Sequence, residues 1–259
     1  MVYQCIEADI NDHFVGTIVL NRPDQLNTFS SRLAEELYHA LQTLDEDAKV
    51  RVIRLKGAGK AFCAGIDVTE LEGKSTQEFR SWIELMERPL VFVSKMKKPV
   101  IAQVHGVAAA NGAGLVAAAD LAIAADNSRI GLTAINVGLN CVGPVLPVAK
   151  SVGRKKALEL LFFGELIKAP QALEIGLINR VVPKDDLENE GLCWAENLAC
   201  KSPVALQNAK QAFYASGDMT YTQQFDFMNE AFARLCSTHD AREGVKAFFE
   251  KRPPKWQGK

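Results

Sequence analysis

Two stretches of small residues constrain the fold of this chain more than any other feature. Residues 60–67 read KAFCAGID and residues 105–115 read HGVAAANGAGL, and each follows a segment with the pattern of a strand. Glycine and alanine let one backbone approach another backbone or a ligand closely. A helix that begins near Gly112 would present unpaired N–H groups and the positive end of its dipole. The pattern fits tight strand–helix packing alone, and it also fits two N–H donors that converge on one ligand oxygen.

Composition and charge exclude several classes of protein. The chain has 259 residues, of which 48% are hydrophobic and 24% charged, as is typical of a globular protein. The net charge of −1 argues against a nucleic-acid partner. No run approaches the roughly 20 apolar residues of a membrane helix, and the N-terminus lacks the basic and apolar regions of a signal peptide. We therefore expect a cytoplasmic protein that does not associate with membranes.

The cysteines and histidines give no sign of a metal site. The six cysteines and four histidines are scattered, without Cys-x-x-Cys or His-Glu-x-x-His spacing. Because no secretion signal is visible, we expect the cysteines to be free thiols in a reducing compartment. We accordingly predict no metal ligands.

Strand and helix patterns alternate in the first part of the chain and give way to helices alone in the last part. The patterns predict strands over residues 13–20, 50–56, 98–104, 121–125 and 177–182. They predict helices over residues 31–45, 76–94, 155–163, 170–174, 187–201, 204–215, 221–237 and 242–251. This order indicates an α/β core over residues 1–183 and a helical region over residues 184–259, which packs on the core or on a neighbouring subunit.

Several segments, taken in order, resemble the crotonase (enoyl-CoA hydratase/isomerase) superfamily. Each is weak alone, but the ordered set is specific and covers nearly the whole chain. The segments are LNRPDQLN at 20–27, KAFCAGID at 60–67, KPVIAQVHG at 98–106, DLAIA at 120–124, GR at 153–154, ALEIGLINRVVP at 172–183 and FEKRPPKW at 249–256. The resemblance implies a spiral core of ββα units with a C-terminal helical region. It also implies a homo-oligomer, either a trimer or a dimer of trimers.

The resemblance further implies a substrate class and a set of binding residues. Such proteins bind acyl-CoA thioesters, so coenzyme A enters as part of the substrate and no cofactor is bound permanently. By position, the backbone N–H groups of Ile66 and Asn111 form an oxyanion hole for the thioester oxygen. The residues matched to the coenzyme A path are Gln25, Leu26, Lys60, Ala64, Ile66 and Lys251. For the two lysines, a solvated surface amine is the alternative interpretation.

The chain departs from the family at the residues that move protons. Hydratases of the family use two glutamates, because water must lose a proton while the α-carbon gains one. Here these positions are Gly114 and Ala134, and a third position used as aspartate by some relatives is Val142. The segment 135–144, INVGLNCVGP, resembles a divergent subgroup, the enoyl-CoA hydratase domain-containing proteins, which lack both glutamates. Asn111 replaces a family glycine, and we expect its tolerance of positive φ to preserve the loop.

Other side chains are candidates to replace the missing carboxylates. Cys141 lies in the segment that borders the acyl pocket in the family, and a thiol with a lowered pKa would be a nucleophile or an acid–base group. A buried packing role is the alternative. Four glutamates after the first small-residue stretch could enter the same pocket or face solvent: Glu70, Glu72, Glu84 and Glu87. We expect His105 and Asp67 to hold their loops by hydrogen bonds.

Three functions follow from these alternatives. The first is an acyl-CoA enzyme of the hydratase or isomerase type with an altered mechanism. A thioester hydrolase is an alternative within this class. The second is a non-catalytic acyl-CoA-binding or structural subunit. The third is a protein without affinity for coenzyme A, which would require Asn111 to block the pocket. An oxyanion hole alone retains part of an enzyme's rate enhancement, which favours the first.

Overall fold

The computed structural model describes residues 2–259, which form a layered α/β core followed by helices. The strands are β1 (Ile6–Ile10), β2 (Val15–Leu20), β3 (Val52–Gly57), β4 (Val100–Val104), β5 (Val107–Ala109), β6 (Leu121–Ala125), β7 (Arg129–Gly131), β8 (Ile167–Lys168) and β9 (Arg180–Val182). The helices are α1 (Ser31–Glu46), α2 (Thr76–Val93), α3 (Asn111–Ala118), α4 (Val145–Val152), α5 (Arg154–Phe163), α6 (Ala169–Glu174), α7 (Leu187–Ala199), α8 (Pro203–Ala215), α9 (Tyr221–Cys236) and α10 (His239–Phe249). The expected α/β core with C-terminal helices is confirmed.

The strands form two sheets that wind along the chain. Six strands pair in the order β1-β2-β3-β4-β6-β9, with β1 antiparallel to β2 and every later pair parallel. A second sheet has the order β5-β7-β8. Because β3 and β4 are parallel neighbours, the segments that follow them leave the sheet at the same edge. Those segments are the two small-residue stretches.

Helix α1 covers one face of the large sheet. The Ser30 Oγ caps it by accepting a hydrogen bond from the Leu33 N–H at 3.2 Å. Its leucines recur at helical spacing, and Leu33, Leu37 and Leu41 are completely buried. Full burial of each leucine stabilises the fold by about 1.5–3 kcal/mol.

Helix α2 lies between α1 and α3 and forms one wall above the second small-residue stretch. A capping box fixes its start, because Ser75 and Glu78 bond to each other's backbone N–H groups. Its apolar stripe includes Trp82, Met86 and Leu90, all buried. The helix therefore presents a fixed row of side chains to α3.

The first of the C-terminal helices belongs to the core and not to a separate layer. Helix α7 packs on β2, β3, β4 and β6, and its Leu187, Ala195 and Ala199 share a buried cluster with Val15 and Val52. The division at residues 183 and 184 stays a prediction. No helix within residues 2–259 combines the length and apolar character needed to cross a bilayer.

Candidate active site

The two small-residue stretches meet where Gly65 packs on Ala110. The Ala110 Cβ is 3.2 Å from the place where a Cβ on Gly65 would stand, and Gly65 has φ +107°. Only residues without large side chains permit this approach. The next residue of each stretch is Ile66 or Asn111, so the contact brings those two backbones side by side.

Backbone hydrogen bonds on two sides hold the segment that contains Ile66. The Cys63 N–H donates to the Val107 carbonyl at 3.1 Å, and the Ala109 N–H donates to the Cys63 carbonyl at 2.9 Å. On the other side, the Phe29 N–H donates to the Gly65 carbonyl at 2.7 Å. The segment therefore runs like a short strand between two neighbours, and its position does not depend on a ligand.

Two N–H groups at the meeting point have no acceptor. Within residues 2–259, neither the Ile66 nor the Asn111 N–H donates a hydrogen bond to the protein. Asn111 is the first residue of α3, where free N–H groups and the helix dipole favour a negative oxygen. The structure thus brings together the two groups that the sequence assigned to an oxyanion hole.

The residue with positive φ at this turn is Ala110, so the turn does not need the tolerance of positive φ that we expected Asn111 to supply. Ala110 has φ 48° and ψ −112°, whereas Asn111 lies within the helix and has no positive φ. Such a conformation costs an alanine about 1–3 kcal/mol and is found mostly at functional sites. A run of three alanines gives no signal of this kind, so the sequence analysis missed Ala110.

The turn after β2 clamps onto the first small-residue stretch. Asn27 is fully buried, and its Nδ2 donates to the carbonyls of Ala58 and Ala61 at 2.9 and 2.8 Å. Arg22 pairs with Asp67 at 3.0 Å, and Asp67 also caps the short helical turn that follows. The expectation that Asp67 orients its loop is confirmed.

The residues assigned to the coenzyme A path divide into two groups. Gln25 and Leu26 are exposed on the clamped turn, and Ala64 donates its N–H to the Leu26 carbonyl at 3.0 Å. Lys60 is exposed at the start of the same stretch. Lys251 instead follows α10, which packs on α8 and α9, and it makes no hydrogen bond or ion pair with the first group within residues 2–259.

His105 holds the second stretch in place. Its Nε2 lies 3.1 Å from the Gly59 carbonyl oxygen, which connects the two stretches. Burial lowers the pKa of His105, and the charges of Lys56 and Lys184 lower it further. The lowered pKa favours the neutral ring, and the contact with Gly59 agrees with the expected loop-holding role.

Gly114 and Ala134, which the resemblance alone aligns with two glutamates, have no side chain that exchanges a proton. At Gly114, an added Cβ would stand 2.7 Å from the Leu90 Cδ2 and 2.9 Å from the Pro144 Cβ. Ala134 is half-buried in a short helical turn over Thr133–Val137. Leu90 and Pro144 thus fill the space that a glutamate at 114 would need.

Of the four glutamates considered from the sequence, Glu87 approaches this region. Its carboxylate lies against Gly143, so closely that a Cβ on Gly143 would overlap Glu87 Oε1. The side chain is half-buried, and within residues 2–259 it has no hydrogen bond or ion pair. Burial raises the pKa of Glu87. An unpaired, partly desolvated carboxylate of this kind is a candidate for proton transfer.

The other three glutamates are engaged elsewhere or exposed. Glu70 accepts hydrogen bonds from Ser31 and from the Trp82 Nε1 at 2.8 Å. Glu84 pairs with Arg80 on the helix surface, and Glu72 is exposed. They do not line the wall that Glu87 shares with Gly143.

Cys141 is buried, and its surroundings do not activate it. Burial raises the pKa of the thiol, and a backbone hydrogen bond at Ala134 only partly offsets this. A nucleophilic cysteine needs the opposite shift. Its assignment as nucleophile stays a prediction that this environment does not support.

A groove of about 1280 Å³ lies beside Glu87 and continues along α3, α4, α8 and α9. Its walls include Glu87, Leu90, Ala117, Gly143 and Leu146. Leu90 also touches Gly114, so it stands between this groove and the first turn of α3. The groove offers an apolar chain a path that starts one to two helical turns beyond Asn111.

Comparisons with known proteins agree with this fold. The family model described as enoyl-CoA hydratase/isomerase matches residues 11–259. The short-chain-enoyl-CoA hydratase of Clostridium acetobutylicum is 32% identical over 240 residues, which cover 92% of each chain. An enoyl-CoA hydratase of Mycobacterium smegmatis superposes with a TM-score of 0.95 at 35% identity, covering 98% of this chain and 99% of the other. Human enoyl-CoA hydratase domain-containing protein 3 superposes with a TM-score of 0.92 at 31% identity, covering 98% and 100%.

Proposed function

The chain belongs to the enoyl-CoA hydratase/isomerase family, and we propose that it is an enzyme that stabilises an acyl-CoA enolate or oxyanion through the Ile66 and Asn111 N–H groups. The observation that carries this proposal is the pair of free donors beside the Gly65–Ala110 contact. Removing one donor from such a site typically raises the barrier by about 2.7–4 kcal/mol. The strained conformation of Ala110 supports the proposal, because it turns the chain so that the Asn111 N–H at the start of α3 lies near Ile66.

The coenzyme A portion would lie along the edge that carries the clamped turn. We assign this path to Gln25, Leu26, Lys60 and Ala64, with coenzyme A as part of the substrate and no permanently bound cofactor. On this edge, the ammonium group of Lys60 binds a phosphate group of coenzyme A. Lys251 follows α10, which packs on α8 and α9, and we propose that it joins this path from another chain of a homo-oligomer.

The proton chemistry would differ from hydration by two glutamates. Neither Gly114 nor Ala134 moves a proton, and Leu90 and Pro144 leave no room for a carboxylate at 114. We propose that Glu87 takes a proton from a carbon of the acyl group. The C–H electron pair then moves to the thioester oxygen, which the N–H groups of Ile66 and Asn111 hold as an enolate. Return of the proton to a different carbon completes an isomerisation that needs one carboxylate.

Cys141 has a packing role in this proposal. Its burial and raised pKa leave it as a neutral thiol near pH 7. A hydrolase that uses Cys141 as nucleophile would require a thiolate, so this alternative has less support than the isomerase. The absence of carboxylates at positions 114 and 134 is the observation that favours a non-catalytic acyl-CoA-binding subunit as the second candidate.

One pair of variants separates these functions. Wild-type protein, Glu87→Gln and the control Glu84→Gln are incubated with 3-butenoyl-CoA in heavy water, and mass spectrometry follows deuterium uptake and crotonyl-CoA formation. Glu84 is exposed on the same helix, so its variant controls for the loss of one charge. We expect Glu87→Gln to slow exchange by about 10²–10⁴-fold, the usual contribution of an acid–base group, and Glu84→Gln to leave it unchanged.

Calorimetry with butyryl-CoA supplies the second readout. If the wild-type protein does not bind it, the acyl-CoA proposal fails. Binding without any exchange supports the non-catalytic subunit. If Glu87→Gln exchanges deuterium as fast as the wild-type protein, another group moves the proton.

A further inference from the structure

The side chain of Asn111 carries a buried hydrogen-bond donor without a partner. Asn111 is 3% exposed, and its Nδ2 has no acceptor within residues 2–259. Native proteins rarely leave such a donor unpaired, because its desolvation is not repaid by a new bond. This side-chain amide is a different group from the Asn111 backbone N–H, which we assign to the oxyanion hole.

The position of Asn111 on α3 places this amide next to the backbone N–H that we assign to the oxyanion hole. Residues of an α-helix follow one another at about 100° around the axis. A Cβ at Gly112 would overlap the Cys63 carbonyl oxygen, so that side of α3 faces the first small-residue stretch. Position 114 faces Leu90 and Pro144. Asn111 lies between these two directions, about 100° from one and 60° from the other.

An acyl group whose thioester oxygen is bound by the Ile66 and Asn111 N–H groups would begin beside the Asn111 side chain. The neighbours of α3 on the side of position 114, Leu90 and Pro144, have apolar side chains. A plain alkyl chain beside Asn111 would leave its Nδ2 as unpaired as it is in the free protein. An oxygen on the acyl group, a few bonds beyond the thioester carbon, would accept its hydrogen bond.

We infer that the Asn111 side-chain amide selects acyl-CoA thioesters that carry a hydrogen-bond-accepting oxygen on the acyl group. This inference rests on the proposed acyl-CoA binding and adds to it a residue that sets specificity. Asn111 then has two functions: its backbone N–H binds the thioester oxygen, and its side chain binds the acyl oxygen.

The test compares matched four-carbon ligands on two proteins. Calorimetry measures the Kd of butyryl-CoA, 3-hydroxybutyryl-CoA and acetoacetyl-CoA for wild-type protein and for Asn111→Ala, which keeps the backbone N–H. We expect wild-type protein to bind at least one oxygenated ligand about 10-fold more tightly than butyryl-CoA, as one hydrogen bond allows. In Asn111→Ala this ratio should fall to about 1.

Thermal unfolding of the free proteins shows whether the amide has a structural role instead. Asn111→Ala should unfold at the same or a higher temperature, because the substitution removes an unpaired buried donor. A lower unfolding temperature, or an unchanged ligand ratio with binding intact, overturns the inference and leaves the acyl-CoA proposal standing. If no thioester binds to wild-type protein, both fall.

Discussion

Ala110 adopts a backbone conformation that alanine rarely occupies, and the geometry of the site depends on it. Its φ of 48° turns the chain from β5 into α3 and presents the Asn111 N–H next to Ile66. The sequence allowed the two stretches of small residues to converge on one ligand oxygen, with tight strand–helix packing as the alternative. It did not predict which residue would be strained, since φ depends on the close contact with Gly65 and not on local propensity.

Replacing this alanine with glycine tests whether the strain is real. Ala110→Gly should be neutral or stabilising by up to about 1 kcal/mol, because relief of about 1–3 kcal/mol of strain exceeds the added entropy of the unfolded glycine. The control is Ala113→Gly in the interior of α3, which should destabilise by about 1 kcal/mol. Urea unfolding measures both. A loss at Ala110 as large as the loss at Ala113 would show that Ala110 is not strained.

At the scale of elements, the long helices and the central strands followed from sequence periodicity, whereas short strands did not. Helices α1, α2 and α8 lie within two residues of their predicted bounds. Strands β7 and β8 have three and two residues, too few for an alternating pattern. They exist because β7 pairs with β5 on one side and with β8 on the other. The approach of Glu87 to Gly143 likewise depends on how α2 packs, so the sequence could offer it only as one of four glutamates.

The Glu188 carboxylate links helix α7 to the sheet, in addition to the apolar packing described above. Glu188 accepts hydrogen bonds from Arg54 at 2.9 Å, from Lys56 at 2.8 Å and from Gln103 at 2.8 Å. Burial alone would raise its pKa, but these donors and the Arg54 charge outweigh burial and lower the pKa to about 2. The ionised carboxylate thus connects the first turn of α7 to β3 and β4.

This contact predicts an acid-sensitive contribution to stability. A carboxyl whose pKa is lower in the folded state stabilises the fold above its usual pKa of 4.5, and the contribution disappears as the pH falls to about 2. Glu188→Gln should lower the free energy of unfolding at pH 7 by about 1 kcal/mol, a value reduced for the half-exposed side chain. Denaturant unfolding between pH 7 and 2 measures this difference.

The matched control for this prediction is Glu190→Gln. Glu190 is exposed on the same helix and makes no hydrogen bond within residues 2–259. The difference between wild-type protein and Glu188→Gln should shrink as the pH falls from 4.5 to 2, while Glu190→Gln should follow the wild type throughout. Equal effects of the two variants would mean that the contact contributes nothing specific.

On the scale of the whole molecule, the helices after β7 expose more aromatic surface than a monomer needs. Five phenylalanines on the last three helices are each more than half exposed: Phe213, Phe225, Phe232, Phe248 and Phe249. Two more, Phe162 and Phe163, are exposed on α5. Exposed apolar area on this scale is typical of surfaces that other chains cover. The sequence placed these residues on predicted helices, but it could not show which of them the core would leave uncovered.

We expect these surfaces to be covered by copies of the same chain, in a trimer or a dimer of trimers. Native mass spectrometry at micromolar concentration should give three or six times the chain mass of 28.4 kDa. Paired substitutions to serine at 162 and 163, or at 248 and 249, should lower that mass if the pair lies in an interface, because each removes two buried aromatic side chains. A wild-type mass of one chain would contradict the prediction. Dissociation by the pair at 248 and 249 would place the end of α10 at an interface, which is the arrangement that Lys251 requires to reach the coenzyme A edge of a neighbouring chain.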